Sequence, residues 1–237
     1  MAIESFQSAP PAIGGAIRSA SRRSHAVYIA LQREIMLGEL SPKQVVLELD
    51  LASRFACSQG TVREALLQLQ EEGLVNRIPH RGTAVADCNA DDARELLHIR
   101  HDIETRGVLR TMARDPQAVV PALQVELEAM RKAADAGDEF ALSAHDRLFH
   151  LILFAAADLP AVQPILSRCL LHNHRFKILN SAPNRALRET ADRHVAIIDA
   201  IVAGDAKAVG KTLSHHIATI VDFGPSIIGG TAPGADA

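Results

Sequence analysis

The chain of 237 residues has no tryptophan, one tyrosine and only 3% aromatic residues in total. Its apolar content of 48% therefore comes mainly from aliphatic side chains, and the abundance of alanine and leucine favours a mainly helical protein. Cysteine is scarce as well. Cys57, Cys88 and Cys169 are odd in number and far apart, which excludes a disulfide framework and a cysteine metal site and fits a reducing cytoplasm. No apolar run reaches the length of a membrane span. The N-terminus lacks the continuous apolar core of a signal peptide, and residues 1–23 and 224–237, rich in small residues, Pro and Gly, are expected to be flexible tails. Strong charge is missing too: 25 Lys+Arg against 28 Asp+Glu leave −3, which excludes a bulk nucleic-acid coat. No internal repeat is evident.

What is present is organised around Ala56 to Leu74. Cys57-Ser58 is a polar break able to cap a helix, and Thr61 with Glu64 offers a second start one turn later. Val62, Ala65, Leu66 and Leu69 then recur at helical spacing, and Gly73 sits where the helix should stop. The opposite face carries Gln59, Thr61, Arg63, Gln68 and Gln70. Such a face suits a DNA major groove, where Arg reads guanine edges and Gln pairs with adenine. A second short amphipathic helix, Leu47 to Phe55, precedes it across a very short connection. Two short helices joined this tightly predict a helix-turn-helix. Val75 to Ala86 holds two brief apolar runs around a Pro-His-Arg-Gly turn, a small β-hairpin that places Arg81 and Gly82 at the tip of a wing. An Arg there reaches a phosphate or a minor groove.

On these residues, 27–86 resemble the DNA-binding domain of the GntR family of bacterial transcription regulators. The resemblance rests on Tyr28, Leu31, Ile35, Gly38 to Pro42, Leu51-Ala52, Thr61 to Leu66, Glu72 to Val75 and Arg81-Gly82. The sequence departs from the family pattern at Gln59, usually Arg, at Thr61, often Pro, and at Lys43, usually Gly. Divided at residue 86, the chain has 9 basic and 8 acidic residues before and 16 and 20 after, or +1 and −4. DNA affinity must then come from a local patch of Arg22, Arg23, Arg54, Arg63 and Arg81, doubled in a dimer.

A domain boundary is expected at 87–92, placing the winged helix-turn-helix at 24–87 and a helical domain at 90–223. The first helix of the chain is expected from about Ser24 to Leu37. After the boundary the pattern predicts helices over about 91–114, 121–136, 139–157, 161–180, 185–203 and 205–223, an antiparallel all-helical bundle of six or seven helices with no strand past residue 87. In the first of these, Leu96, Ile99, Ile103, Gly107 and Leu109 or Arg110 set the spacing.

Nine of the eleven histidines lie beyond residue 87. Asp146 and His150 stand four apart on one helical face and can bind one ion. His194 opens a face continued by Ile197, Ile198 and Ile201, and His216 lies between Leu213 and Ile220 on its helix. Each alone is more commonly a buried imidazole satisfied by a hydrogen bond. Inward-facing together, they would make a metal cage if the fold brings them together. Residues 91–222 resemble the helical FCD effector domain of the FadR-type branch of the same family, through Leu96, Arg100, Ile103-Glu104, Asp146 to His150, Ala155-Ala156, His194 to Asp205 and His216-Ile217. That resemblance implies Asp146, His150, His194 and His216 as ligands of a divalent metal. His215 is the main rival of His216, His172 and His174 are lesser ones, and His98, His101 and His145 are expected to be solvated or peripheral. Four ligands could close a tetrahedral Zn²⁺ or leave two open positions on octahedral Ni²⁺, Mn²⁺ or Zn²⁺. An open site suits a small carboxylate. Arg100 is either its second clamp or the partner of Glu104 at i+4.

The expected function is a cytoplasmic, homodimeric DNA-binding repressor that reads an inverted repeat and responds to a small organic acid held at the metal. Arg54, Ser58, Gln59, Thr61, Arg63, Arg81 and Gly82 are the expected DNA contacts. A direct metal sensor is the runner-up. A metal-dependent hydrolase with a DNA-binding appendage comes third, because no general base beside the ligands and no nucleophile motif is evident. No membrane partner is expected.

Overall fold

The structure, a computed structural model, describes residues 13–79, 82–181 and 185–220. The chain is mainly α and divides into two compact units, one formed by residues up to 35 with 40–86, the other by 36–39 with 87 onward.

In the first unit, α1 (Ile13–Leu37) starts well before the Ser24 expected from periodicity. It is followed by β1 (Val45–Val46), α2 (Glu48–Arg54), α3 (Gln59–Glu71), β2 (Val75–Ile78) and β3 (Gly82–Val85). Val27, Leu31 and Ile35 of α1 are buried, as are Val62, Leu66 and Leu69 of α3. Ser58 is the cap that starts α3, its side chain accepting from the Thr61 amide at 3.1 Å. Gly73, at φ +77, ends it by letting Leu74 N–H reach Leu69 O at 2.8 Å. β2 and β3 form the expected hairpin, with Val75 opposite Val85 and Ile78 opposite Gly82. β1 joins β3 on its other edge, Val45 opposite Ala84. Sequence reading missed this strand, since two residues carry no period. Lys43 sits at φ +68, so the departure from the family's glycine falls in the left-handed region, where a side chain costs about 1 kcal/mol.

The second unit comprises α4 (Ala90–Met112), a 3₁₀ turn (Pro116–Val119), α5 (Val120–Asp135), α6 (Glu139–Ala155), α7 (Gln163–Asn180), α8 (Leu187–Asp192), α9 (Val195–Ala203) and α10 (Ala206–Ala218). Among the described residues no strand lies past Val85. Two expectations are corrected here. The helix expected over 185–203 is broken between α8 and α9, where His194 N–H bonds to Ala191 O three residues back. The last helix ends at Ala218 rather than near Phe223, which lies outside the described residues. The expected inner face of α4 is also displaced. Ile99 and Leu109 are exposed, and the buried stripe is Ala93, Leu97, Arg100, Glu104, Gly107, Val108 and Thr111. A hydrophobicity pattern passes over this stripe because four of its seven residues are polar or glycine.

Leu123 and Met130 of α5, Phe149 and Leu153 of α6, Ile197 and Ile201 of α9 and Leu213 and Ile217 of α10 pack into one core. Gly107 is where α4 meets Phe154 of α6: a Cβ there would lie 2.5 Å from Phe154 Cδ2. Gly107→Ala is therefore expected to destabilise the bundle by about 1–3 kcal/mol, as overpacking does. Thermal unfolding checks this, and an unchanged melting temperature would contradict it.

Candidate metal centre and DNA-reading face

Eight buried polar side chains converge from five places in the bundle: Arg100 and Glu104 on α4, Asp146 and His150 on α6, His174 and Lys177 on α7, His194 at the α8–α9 junction and His216 on α10. His150, His194 and His216 each bring a ring nitrogen within 4.8 Å of the other two. Their rings are close, with centroids 4.5 Å apart for His194 and His216 and 5.2 Å for His150 and His216. Asp146 Oδ1 lies 3.6 Å from His150 Nε2, and its Oδ2 lies 3.7 Å from His194 Nε2. The i, i+4 spacing on α6 and the break before α9 aim these groups at one point.

Second partners fix the rings. His150 Nδ1 faces Glu104 Oε2 at 2.5 Å, and Glu104 Oε1 accepts from Arg100 Nε at 2.5 Å. His194 Nδ1 faces the Ala191 carbonyl at 3.1 Å. Such contacts orient an imidazole so that its other nitrogen presents a lone pair. That other nitrogen, Nε2 of both His150 and His194, is buried without a hydrogen-bond partner, as are Asp146 Oδ1 and both nitrogens of His216. Buried polar atoms left unpaired cost about 1–3 kcal/mol each, so a cluster of them around one point calls for a ligand. A divalent cation fits this N/O donor set.

His216 is buried in the cluster, whereas His215 is exposed. His174 Nε2 stands 3.1 Å from Asp146 Oδ1, closer to the centre than its rank as a lesser rival suggested. His172 is only partly buried, His101 faces Ser214 at 2.8 Å, and His145 faces Glu126 at 2.7 Å. Arg100 has the Glu104 partner weighed for it. Its Nε serves Glu104, while its two terminal nitrogens are buried without partners. Glu104 is the carboxylate that sequence reading did not place beside the ligands. It and His150 are 46 residues apart, beyond any periodicity.

Burial disfavours a charged Glu104, but the His150 imidazole and the Arg100 guanidinium hold its carboxyl at about 2. Burial likewise opposes ionisation of Asp146, but His174 and His194 keep it well below the usual carboxylate range. Burial pushes the His150 and His216 imidazoles down, His216 furthest, and brings His174 to about 3. These rings stay neutral in the fold, whereas in the unfolded chain they take up protons near pH 6.5. Their contribution to stability is full above about 6.5 and is lost as pH falls below it, at up to about 1.4 kcal/mol per pH unit for each ring. Urea unfolding of the metal-free protein from pH 7.5 to 5 should follow this decline. A flat profile would contradict the buried, neutral assignment.

On the first unit, Gln59 and Arg63 are exposed on α3 as expected. Thr61 is not: it is buried at the start of the helix, with its hydroxyl 3.0 Å from Ser58 Oγ. Ser58, an expected DNA contact, is exposed and serves as the cap of α3. Arg54 is tied to Glu34 of α1, NH1 to Oε2 at 2.8 Å, so its first role is to join α2 to α1. Gly82 takes φ +93, and a Cβ there would lie 3.1 Å from Leu47 Cδ2 and 3.2 Å from Val46 O. It is required by the sheet. Arg81 lies outside the described residues. Two residues were missed. Glu48 of α2 holds Arg63, NH2 to Oε2 at 2.7 Å, and Arg77 NH2 of β2 lies 3.6 Å from the same carboxylate. Glu48→Ala is expected to raise affinity for random DNA, by removing a negative charge beside two arginines, and to lower the ratio of operator to random binding several-fold. Anisotropy titrations on both DNAs read this; an unchanged ratio would count against the Glu48–Arg63 tether.

The gntR family of bacterial regulatory proteins matches residues 23–85, and the FCD domain matches residues 95–219. The HTH-type transcriptional regulator BphR of Paraburkholderia xenovorans is 29% identical over 90% of this chain and 89% of its own length. The HTH-type transcriptional repressor RspR of Escherichia coli is 26% identical over 82% of this chain and 85% of its own. Among solved structures, Escherichia coli McbR/YncC superposes with a TM-score of 0.67 at 23% identity, covering 82% of this chain and 93% of that one, a likeness of fold.

Proposed function

This chain belongs to the gntR family of bacterial regulatory proteins and carries an FCD domain, and from that premise we propose a DNA-binding repressor whose operator affinity is set by a small organic acid bound at a divalent metal. The first unit is the DNA-reading module and the second the effector module. The observation that carries the reading is the set of orphaned nitrogens on His150, His194 and His216 beside Asp146, with the unpaired end of Arg100 in the same buried cluster. Asp146, His150, His194 and His216 hold the ion, which when bound supplies positive charge and an exchangeable position for a carboxylate. Arg100 grips the acid with its terminal nitrogens, while its Nε keeps Glu104 on His150. Glu104 in turn fixes which nitrogen of His150 faces the centre.

The protein acts in the cytoplasm as a homodimer on an inverted repeat, since one recognition helix reads only a few base pairs. Gln59 and Arg63 reach base edges, and Arg77 and Arg81 reach the backbone. Binding of acid and of DNA are linked, so an acid that lowers operator affinity binds DNA-bound protein more weakly by the same factor. The test is anisotropy of a fluorescent fragment of the protein's own promoter region with a panel of small carboxylates. One acid is expected to weaken binding at least several-fold. Sequence-specific binding unaffected by every acid, in protein with its full metal content, would overturn the effector reading.

A further inference from the structure

A buried site must balance its charge, and this one does not once an ion is present. Arg100 and Lys177 bring two positive charges and Glu104 and Asp146 two negative, all on residues at most 8% exposed. An imidazole that ligates a metal is neutral, so with the ion bound these four cancel. A divalent ion then leaves a formal surplus of two positive charges. Unpaired charge in a protein interior is costly, and a ligand that restores neutrality brings two negative charges.

The placement of the cations says where they go. Arg100, held by Glu104 through its Nε, leaves two buried terminal nitrogens without partners. Lys177 lies on α7 three residues after His174, which touches Asp146 at 3.1 Å. Residues so spaced share a face, with Cβ atoms roughly 5–6 Å apart. Lys177 has no carboxylate within ion-pair distance among the described residues, and Asp146 is the acid whose charge acts on it. Burial brings its ammonium down to about 8, so at neutral pH it is still mostly charged. Arg185 and Arg193, the other cations felt by Lys177, are already engaged, by Glu139 and by the Thr219 and His216 carbonyls.

We infer that the effector is a small dicarboxylate, one carboxylate on Arg100 and the metal and the other on Lys177. This rests on the acid-responsive reading above and deepens it.

The test is calorimetry on zinc-loaded protein with matched pairs: butyrate against succinate, 3-hydroxybutyrate against malate, and pentanoate against glutarate. The same pairs are run on Lys177→Met and Lys177→Arg. At least one diacid should bind the wild type roughly tenfold or more tighter than its monoacid. Lys177→Met should erase that preference, weakening diacid binding far more than monoacid binding, with zinc content read in parallel. Lys177→Arg, which keeps the charge, should retain much of it and guards against a variant that merely misfolds. Equal binding of monoacid and diacid by the wild type, or a preference that survives Lys177→Met, overturns the dicarboxylate inference and leaves the acid-responsive reading standing. Binding of no acid at all by zinc-loaded protein overturns both.

Discussion

Replacing His216 with leucine is expected to abolish retention of a divalent ion and, at the same time, to make the metal-free protein more stable. His216 is 6% exposed, and neither ring nitrogen has a hydrogen-bond partner. In the metal-free fold it is a polar side chain that gains nothing from being polar. Leucine fills similar volume beside Leu213 and Ile217 without desolvating two nitrogens, a difference of about 1–3 kcal/mol. With the ion the order reverses. A ligand at a thousand times its Kd stabilises the fold by about 4 kcal/mol, and the variant forfeits that. Melting curves with and without zinc should therefore cross between wild type and variant. His150→Leu cannot give so clean a result, because it also strips Glu104 of a partner at 2.5 Å in the interior. Glu104→Gln keeps every ligand and should weaken ion binding about 10–100-fold through the loosened imidazole. If His216→Leu melts lower than wild type in chelator, the histidine has a structural partner and the metal reading weakens.

The second large effect is expected at Arg63. Arg63→Ala should cost about 1–3 kcal/mol of discrimination between operator and a single-base variant at the pair it reads, and leave binding to random DNA nearly unchanged. Arg63 is exposed on α3, and Glu48 presents its guanidinium in a fixed direction. A phosphate contact would behave otherwise, with uniform loss across sequences and a smaller salt slope. Arg77→Ala should behave in that second way. Retained operator specificity in Arg63→Ala, with normal folding by circular dichroism, would remove it from the reading set.

Local rules carried the sequence reading where local physics decides the structure. Ser58 caps α3 and Gly73 ends it because capping and left-handed termination need particular side chains at particular positions. The hairpin followed from two apolar runs around a turn. The inner face of α4 was misread for a related reason. Periodicity looks for apolar residues, and this helix turns Arg100, Glu104 and Thr111 inward while exposing Ile99 and Leu109. In a bundle whose interior holds a polar centre, the functional helix is the one whose hydrophobic pattern misleads. The break at His194 was equally hidden, since residues 185–203 contain neither Gly nor Pro. The inward set Asp146, His150, His194 and His216 could be proposed from spacing, but its convergence could not. Glu104 on His150, His174 on Asp146 and Glu48 on Arg63 are tertiary pairings that spacing along one helix does not reveal. Thr61 was placed on the outer face although it lies in the first turn, where Ser58 draws its hydroxyl inward.

The most direct measurement is a calorimetric titration of the acid that releases the promoter fragment into protein as purified and again after exhaustive chelation. Saturable binding to the first and none to the second is expected, restored by adding zinc, nickel or manganese back. Binding that survives chelation would contradict the metal as the anchor of the effector. Loss of DNA binding on chelation alone, with no acid bound in either state, would make the ion itself the signal.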